Sequence, residues 1–231
     1  MEVYGKNVAI ELLTKNKKIN KIYLLEGFSD QKIISMIRKQ DISFSYETKS
    51  VFGQFASSNH QGIICFIPEF YYTPLNEVLK FSKVNPVFLM LDHIEDPHNF
   101  GAIIRTAVAG GVDAIIIPKD RGVKVNATVF KTSAGTSTRI PIVQVTNLNQ
   151  TMKKMKEKGI WFVGTSIDAK QMYTEIDYKM PLCLVVGNEG EGISNLIAKN
   201  CDFNVKIPLK NNVESLNVSV ATGILIYEIM R

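Results

Sequence analysis

A chain of 231 residues has room for one large domain or two small ones, and its patterning favours two. With 45% apolar and 21% charged residues it is too apolar for a disordered protein and must build a real core. A net charge of +5 suits an acidic partner such as RNA without requiring one, and no apolar run approaches the roughly 18 residues that cross a bilayer.

Residues 1 to 67 alternate between helical and extended patterns. Met1 to Leu13 mixes charged with apolar residues, unlike a signal peptide, so a cytoplasmic protein is expected. Gly5 to Leu13 has helical spacing, and Lys21 to Leu25 reads as a strand. Asp30 to Lys39 reads as a helix capped by Ser29 or Asp30. Ile42 to Tyr46 alternates like a half-buried strand, Ser50 to Ala56 suits a short helix, and Gly62 to Ile67 suits a buried strand. Pro68, Pro74 and Pro86 punctuate an aromatic stretch and a short helix at Leu75 to Phe81, which places a linker near here. The expected division is residues 1–70, a linker over 71–85, and a second domain over 86–231.

From Val87 onward the strands are continuous apolar runs: Val87 to Leu91, Ala114 to Ile117, Ile142 to Val145, Ile160 to Gly164, Leu182 to Val186 and Phe203 to Ile207. Helical patterns stand between and after them at Gly101 to Ala109, Val125 to Ser133, Leu148 to Lys158, Ile193 to Lys199 and Val218 to Met230. Strands buried on both faces and alternating with helices predict an α/β fold with an open parallel sheet. Its ligand is expected beyond the C-terminal strand ends. The three cysteines show no paired spacing, so neither a disulfide framework nor a metal site is expected. Cys65 and Cys183 read as small buried hydrophobes.

Three stretches follow strand ends. In the first, Asp92 to Ala107, Asn99 is placed to cap a helix and Gly101 permits close approach. Arg105, flanked by apolar residues on that helix, needs an anionic partner, and Asp92, Glu95 or Asp96 would make a structural pair. His93 and His98 have no third ligand at a recognisable spacing and read as loop or cap residues. In the second, Leu182 to Ile193, three glycines and two glutamates form a loop that meets a ligand with backbone and carries no positive charge. It lacks the patterns of a phosphate-binding or dinucleotide-binding loop, so an adenine, ribose or sulfonium ligand suits it better. In the third, Ile207 to Gly223, a polar loop leads to a last helix capped by Ser215 or Asn217. That helix is apolar around most of its circumference, so it must be well buried, in the core or in a dimer.

Together these stretches resemble the three motifs of the SpoU (TrmH-like) family of RNA ribose 2′-O-methyltransferases in the SPOUT class. Asn99, Gly101 and Arg105 match the first motif, Gly187, Glu189 and Gly190 the second, and Ile207, Pro208 and Ser215 to Ser219 the third. Tyr4 to Val8 and Asn59 to Ile63 are similar to the substrate-binding domain of the RlmB-type subgroup.

The resemblance implies a deep trefoil knot in the C-terminal sheet and a small N-terminal α/β RNA-binding domain. It also implies S-adenosyl-L-methionine as cofactor and a homodimer joined through the first and last helices of the catalytic domain. Gly187, Ile207 and Leu216 are implied as cofactor contacts, with Thr165 and Pro208 beside them. Arg105, Asn99, Ser215, Asn217 and Glu189 are implied for the chemistry, and Arg105, Lys6, His60 and Gln61 for RNA. The implied substrate is a guanosine in the peptidyl-transferase region of large-subunit ribosomal RNA. Transfer RNA is the competing substrate, and a non-catalytic RNA-binding protein with a degenerate fold is the alternative of another class.

Overall fold

The computed structural model describes residues 1–55, 59–188 and 190–231. In chain order the elements are β1 (Glu2–Tyr4), α1 (Lys6–Thr14), β2 (Lys21–Leu25), α2 (Gln31–Lys39), β3 (Phe44–Glu47), α3 (Lys49–Phe55) and β4 (Ile63–Phe66). Then come α4 (Leu75–Val78), β5 (Val87–Asp92), α5 (Pro97–Ala109), β6 (Ala114–Pro118), α6 (Ala127–Thr132), β7 (Ile142–Val145) and α7 (Leu148–Lys156). Last are β8 (Trp161–Thr165), β9 (Gln171–Met172), β10 (Leu182–Gly187), α8 (Asn195–Asn200), β11 (Phe203–Lys206) and α9 (Val218–Ile229).

The chain divides into two compact units, residues 1–71 with 125–138, and residues 72–124 with 139–231. The first contains a four-stranded sheet in the order β1-β4-β2-β3, antiparallel except for the parallel pair β2 and β3. Asp30 caps α2, its carboxylate accepting the Ile33 N–H at 3.3 Å, and the buried Ile33, Ile34 and Ile37 give that helix one apolar face. The strand expected from Ile42 begins at Phe44. Asp41 turns the chain with a positive φ of 52°, and the Ile42 N–H bonds back to the carbonyl of Ile37. Residues 125–138 belong to this unit although they lie within the span 86–231. Val129 and Phe130 of α6 are buried there, and Lys131 Nζ stands 5.1 Å from the ring centre of Tyr4.

The second unit is built on a seven-stranded sheet in the order β7-β6-β5-β10-β8-β11-β9, with every pairing parallel. The unbroken apolar runs are explained by burial on both faces: β5 and β10 are buried at every position. One face packs Phe88, Met90, Ile116, Phe162, Cys183 and Val185 against Met152 and Met155 of α7 and Ile197 of α8. On the other, α5 packs with α9, and α9 reaches β10. Strands leave β5 toward β6 and β7 on one side and toward β10 and β8 on the other, so the switch in strand order falls between β5 and β10. Two strands had no signal in the sequence. β1 has three residues and β9 two, too few for alternation to show.

Burial raises all three thiols. Cys65 is pushed up to about 12 from 9.0, and Cys201 likewise to about 12, with Asp202 adding to the effect of burial. Between those values the unfolded chain releases a proton that folded Cys65 keeps, so stability falls as pH rises, by about 1.4 kcal/mol per pH unit for each such thiol. Urea unfolding at pH 8 and pH 10 should show this loss, and Cys65→Ala should make it smaller; an unchanged pH slope would count against the assignment.

Candidate active site

Because every pairing in the large sheet is parallel, the ends of β5, β8, β10 and β11 lie along one edge. That edge carries Asp92, Thr165 and Gly187 as last residues of their strands and Ile207 directly after Lys206. In open parallel sheets ligands bind beyond this edge at the switch point, here between Asp92 and Gly187, which are cross-strand neighbours.

The loop after β10 is closed on itself. The Asn188 side-chain oxygen accepts the N–H of Gly190 at 3.0 Å and of Glu191 at 2.7 Å, and the Asn188 carbonyl accepts the Gly192 N–H at 3.1 Å. Gly192 has φ +66°, and a Cβ on Gly187 would stand 1.9 Å from the Gly192 oxygen, so both positions need glycine. Glu189 lies outside the described residues. The Asn-x-x-x-Gly spacing is the sequence signal for this turn, and Asn188 is a site residue that the motif comparison does not single out.

Asn99 is not the cap of its helix. Asp96 holds that place, its carboxylate accepting the N–H groups of His98 at 3.0 Å and Asn99 at 3.2 Å, while Pro97 opens the first turn without a donor to satisfy. Asp96→Ala should destabilise the second unit by about 1 kcal/mol, which urea unfolding would measure; no change would show the cap to be idle. Released from capping, the Asn99 side-chain oxygen accepts a hydrogen bond from Asn217 Nδ2 at 2.9 Å. Asn217, and not Ser215, caps α9, its side-chain oxygen accepting the Ser219 N–H at 3.0 Å.

This bond ties the starts of α5 and α9 together. Farther along, a Cβ on Gly223 would lie 3.5 Å from Thr106, and one on Gly110 would lie 2.3 Å from Ile226, so the two helices run side by side in the same direction. The absence of a side chain at Gly110 lets them close at their far end.

Arg105 lies six residues beyond Asn99, about 120° away around the helix. It is exposed and makes no ion pair among the described residues, which disfavours the alternative of a structural pair with a nearby carboxylate. The carboxylate of Asp92 is taken by the Ser194 N–H at 2.8 Å and lies 2.6 Å from His93 Nδ1, and Asp96 is occupied as a cap. Ser215 and Pro208 are exposed, while Ile207 and Leu216 are half-buried on either side of a turn made by Asn211 and Asn212, both at positive φ. Within the single chain the last helix leaves part of its apolar surface open: Val220 is 52% and Tyr227 58% exposed, two turns apart on one face.

In the first unit, Lys6 and Gln61 meet. The Gln61 side-chain oxygen accepts the Lys6 N–H at 2.8 Å, and Lys6 Nζ is 3.0 Å from Asp30, whose carboxyl is held below its ordinary value first by this hydrogen bond. His60 is occupied too. Its Nδ1 accepts the Gly62 N–H at 3.0 Å, and its ring lies 4.7 Å from that of Phe52. Among the described residues no helix is long and apolar enough to cross a membrane.

Residues 86–227 match the model of the SpoU rRNA Methylase family, and residues 3–73 match the model for RNA 2′-O ribose methyltransferase substrate binding. The chain belongs to the SpoU family of RNA methyltransferases. A Bacillus subtilis protein named as a TrmH family tRNA/rRNA methyltransferase, YacO, is 41% identical to this SpoU methylase over 99% of the chain and 94% of its own length. The SpoU methyltransferase AviRb from Streptomyces viridochromogenes, solved in complex with AdoMet, superposes with a TM-score of 0.85 at 20% identity, covering 100% of this chain and 89% of that one. The TrmH/SpoU tRNA modifying enzyme of A. aeolicus superposes at 0.58 with 34% identity, over 68% of this chain and 79% of that one. In this SpoU methylase the substrate-binding match precedes the methylase match in the chain.

Proposed function

We propose that this SpoU methylase uses S-adenosyl-L-methionine to methylate a ribose 2′-oxygen, on a guanosine in the peptidyl-transferase region of large-subunit ribosomal RNA. The observation that carries the chemistry is the meeting of all three motifs at one end of one sheet: Gly187 beside Asp92, and Asn99 bonded to Asn217. The match of residues 86–227 to a family described as rRNA methylases supports ribosomal RNA as the target, and the A. aeolicus likeness keeps transfer RNA as the competitor to be tested.

The donor set suits the cofactor. The loop from Gly187 to Gly192 offers backbone groups and no cation, which fits a ligand that is itself a sulfonium cation. In this reading Gly187, Ile207 and Leu216 hold it, with Thr165 and Pro208 at the margin, in a knotted path of the chain as the resemblance implies. When bound, it supplies an electrophilic methyl group and departs as a neutral thioether, so no acid is needed on that side. The protein's task is the sugar hydroxyl, which must shed its proton as it attacks. Arg105 serves this by holding the RNA phosphate and stabilising the developing oxyanion. A guanidinium keeps its proton near neutral pH and is a poor base, so the proton passes to phosphate or water. Asn99, Asn217, Ser215 and Glu189 shape and orient this centre.

Residues 1–70 select the RNA, with Lys6, His60 and Gln61 on the recognising edge, residues 71–85 link, and residues 86–231 carry the chemistry. The exposed Val220 and Tyr227 support a homodimer through α9 with α5. The protein acts in the cytoplasm.

The test is transfer of labelled methyl from S-adenosyl-L-methionine to unmodified ribosomal RNA and, separately, to transfer RNA, followed by nucleoside analysis. Label in 2′-O-methylguanosine from ribosomal RNA alone is the expected result. Label from transfer RNA alone would keep the chemistry and overturn the target, and no saturable cofactor binding would overturn both.

A further inference from the structure

Asp92 is the one buried carboxylate of the large unit among the described residues, with 0% exposure at the end of β5. A buried carboxylate costs several kcal/mol in lost hydration unless strong partners compensate it, and a strand end in an apolar core has cheaper alternatives. One of its two oxygens is compensated by the backbone of the glycine loop. Its backbone lies beside Gly187 as the cross-strand neighbour, and its side-chain Oδ2 accepts the N–H of Ser194 at 2.8 Å, across 102 residues of sequence. The other oxygen, Oδ1, is buried and makes no hydrogen bond, although Nδ1 of His93, a residue held at φ +59°, lies 2.6 Å away. One residue therefore grips the glycine loop at both of its ends, where it leaves β10 and where it enters α8. The loop's own bridge pairs Asn188 with Gly192.

We propose that Asp92 is a positioning residue that clamps the loop from Gly187 to Ser194 in the shape that receives the cofactor, acting through the Ser194 N–H. The cofactor part rests on the methyltransfer reading above; the clamp itself does not. The carboxylate touches neither cofactor nor RNA in this role. It fixes backbone groups that do, so its loss should act on cofactor affinity before turnover. The same residue begins the segment that leads to Asp96, Asn99 and Arg105, so the clamp joins the cofactor loop to the helix that bears the chemistry.

Two substitutions break the bond from opposite sides. Asp92→Ala removes the acceptor. Ser194→Pro removes the donor at a residue whose φ of −60° already suits proline and whose side chain makes no capping bond. Asp92→Asn keeps an oxygen to accept the bond and serves as the conservative rescue. Titration of the whole protein with S-adenosyl-L-methionine should show Asp92→Ala and Ser194→Pro each weakening binding by about tenfold or more, with RNA affinity unchanged. The double variant should be no weaker than about twofold beyond either single one, and Asp92→Asn should recover most of the affinity. In the protein without ligand, amide exchange at Gly190 to Ile193 should quicken in the same two variants. Wild-type exchange and affinity in Asp92→Ala, or losses that multiply in the double variant, would overturn the clamp. Should Asp92→Ala fail to fold, Ser194→Pro against Asp92→Asn decides the same question. If the wild type binds no S-adenosyl-L-methionine, the cofactor reading falls and amide exchange alone still decides the clamp.

Discussion

Arg105→Lys should lower methyl transfer by about 100-fold or more, the usual loss when one donor to a developing oxyanion is removed, with S-adenosyl-L-methionine affinity within about threefold of wild type. The prediction follows from where the residue stands. Arg105 is exposed on α5 and makes no ion pair among the described residues, so no internal bond ties its guanidinium down. Lysine keeps the charge and loses the planar fork that grips a phosphate at two points. Little stability should change, since an exposed side chain without a salt bridge contributes little to the fold. Single-turnover methylation beside a thermal melt separates the two effects. Wild-type turnover would remove Arg105 from the chemistry, and a large drop in melting temperature would make it structural.

Gly187→Ala should abolish saturable cofactor binding at concentrations about 100-fold above the wild-type dissociation constant. The added methyl would stand 1.9 Å from the Gly192 oxygen and 2.3 Å from the Ile193 nitrogen, both backbone atoms that cannot rotate aside. The loop must move as a body, and overpacking of this kind costs about 1 to 3 kcal/mol. The damage is local, because β10 is held on both sides by β5 and β8 and stays in register. Calorimetric titration with S-adenosyl-L-methionine, together with a retained circular dichroism spectrum, is the check. Normal affinity in the folded variant would place the cofactor elsewhere.

The sheet was legible because its strands are long apolar runs separated by periodic helices, a pattern in which length and composition agree. The site was legible in a different way. Asn99, Arg105, Gly187 and Asn217 could be picked out only as a combination, since each has an ordinary structural explanation alone. The sequence is ambiguous where two nearby residues can do the same job. Asn99 and Asp96 can both cap a helix, and only the conformation of Asp96, extended just ahead of Pro97, decides between them. For Arg105 the sequence leaves a structural pair with Asp92, Glu95 or Asp96 open as an alternative, yet Asp92 and Asp96 accept hydrogen bonds from backbone N–H groups. The bond at Asp92 leaves no local trace in the sequence, as Ser194 is 102 residues away, whereas the cap at Asp96 is local. The place of residues 125–138 was hidden for the same reason: a short amphipathic helix says that it needs an apolar surface without saying which.

The pairing of β5 with β10 carries a consequence for how the protein reaches its native state. These central strands are about 95 residues apart in the chain, so their meeting closes a long loop whose entropy must be offset before the contacts on either side can help. β6 and β7 can collect on β5 soon after it forms, whereas β10 must insert between β5 and β8. The seam where Asp92 meets Gly187 is therefore among the last features to assemble. On refolding, helical signal should return early and the capacity to hold a ligand late, with folding slow for a domain of this size.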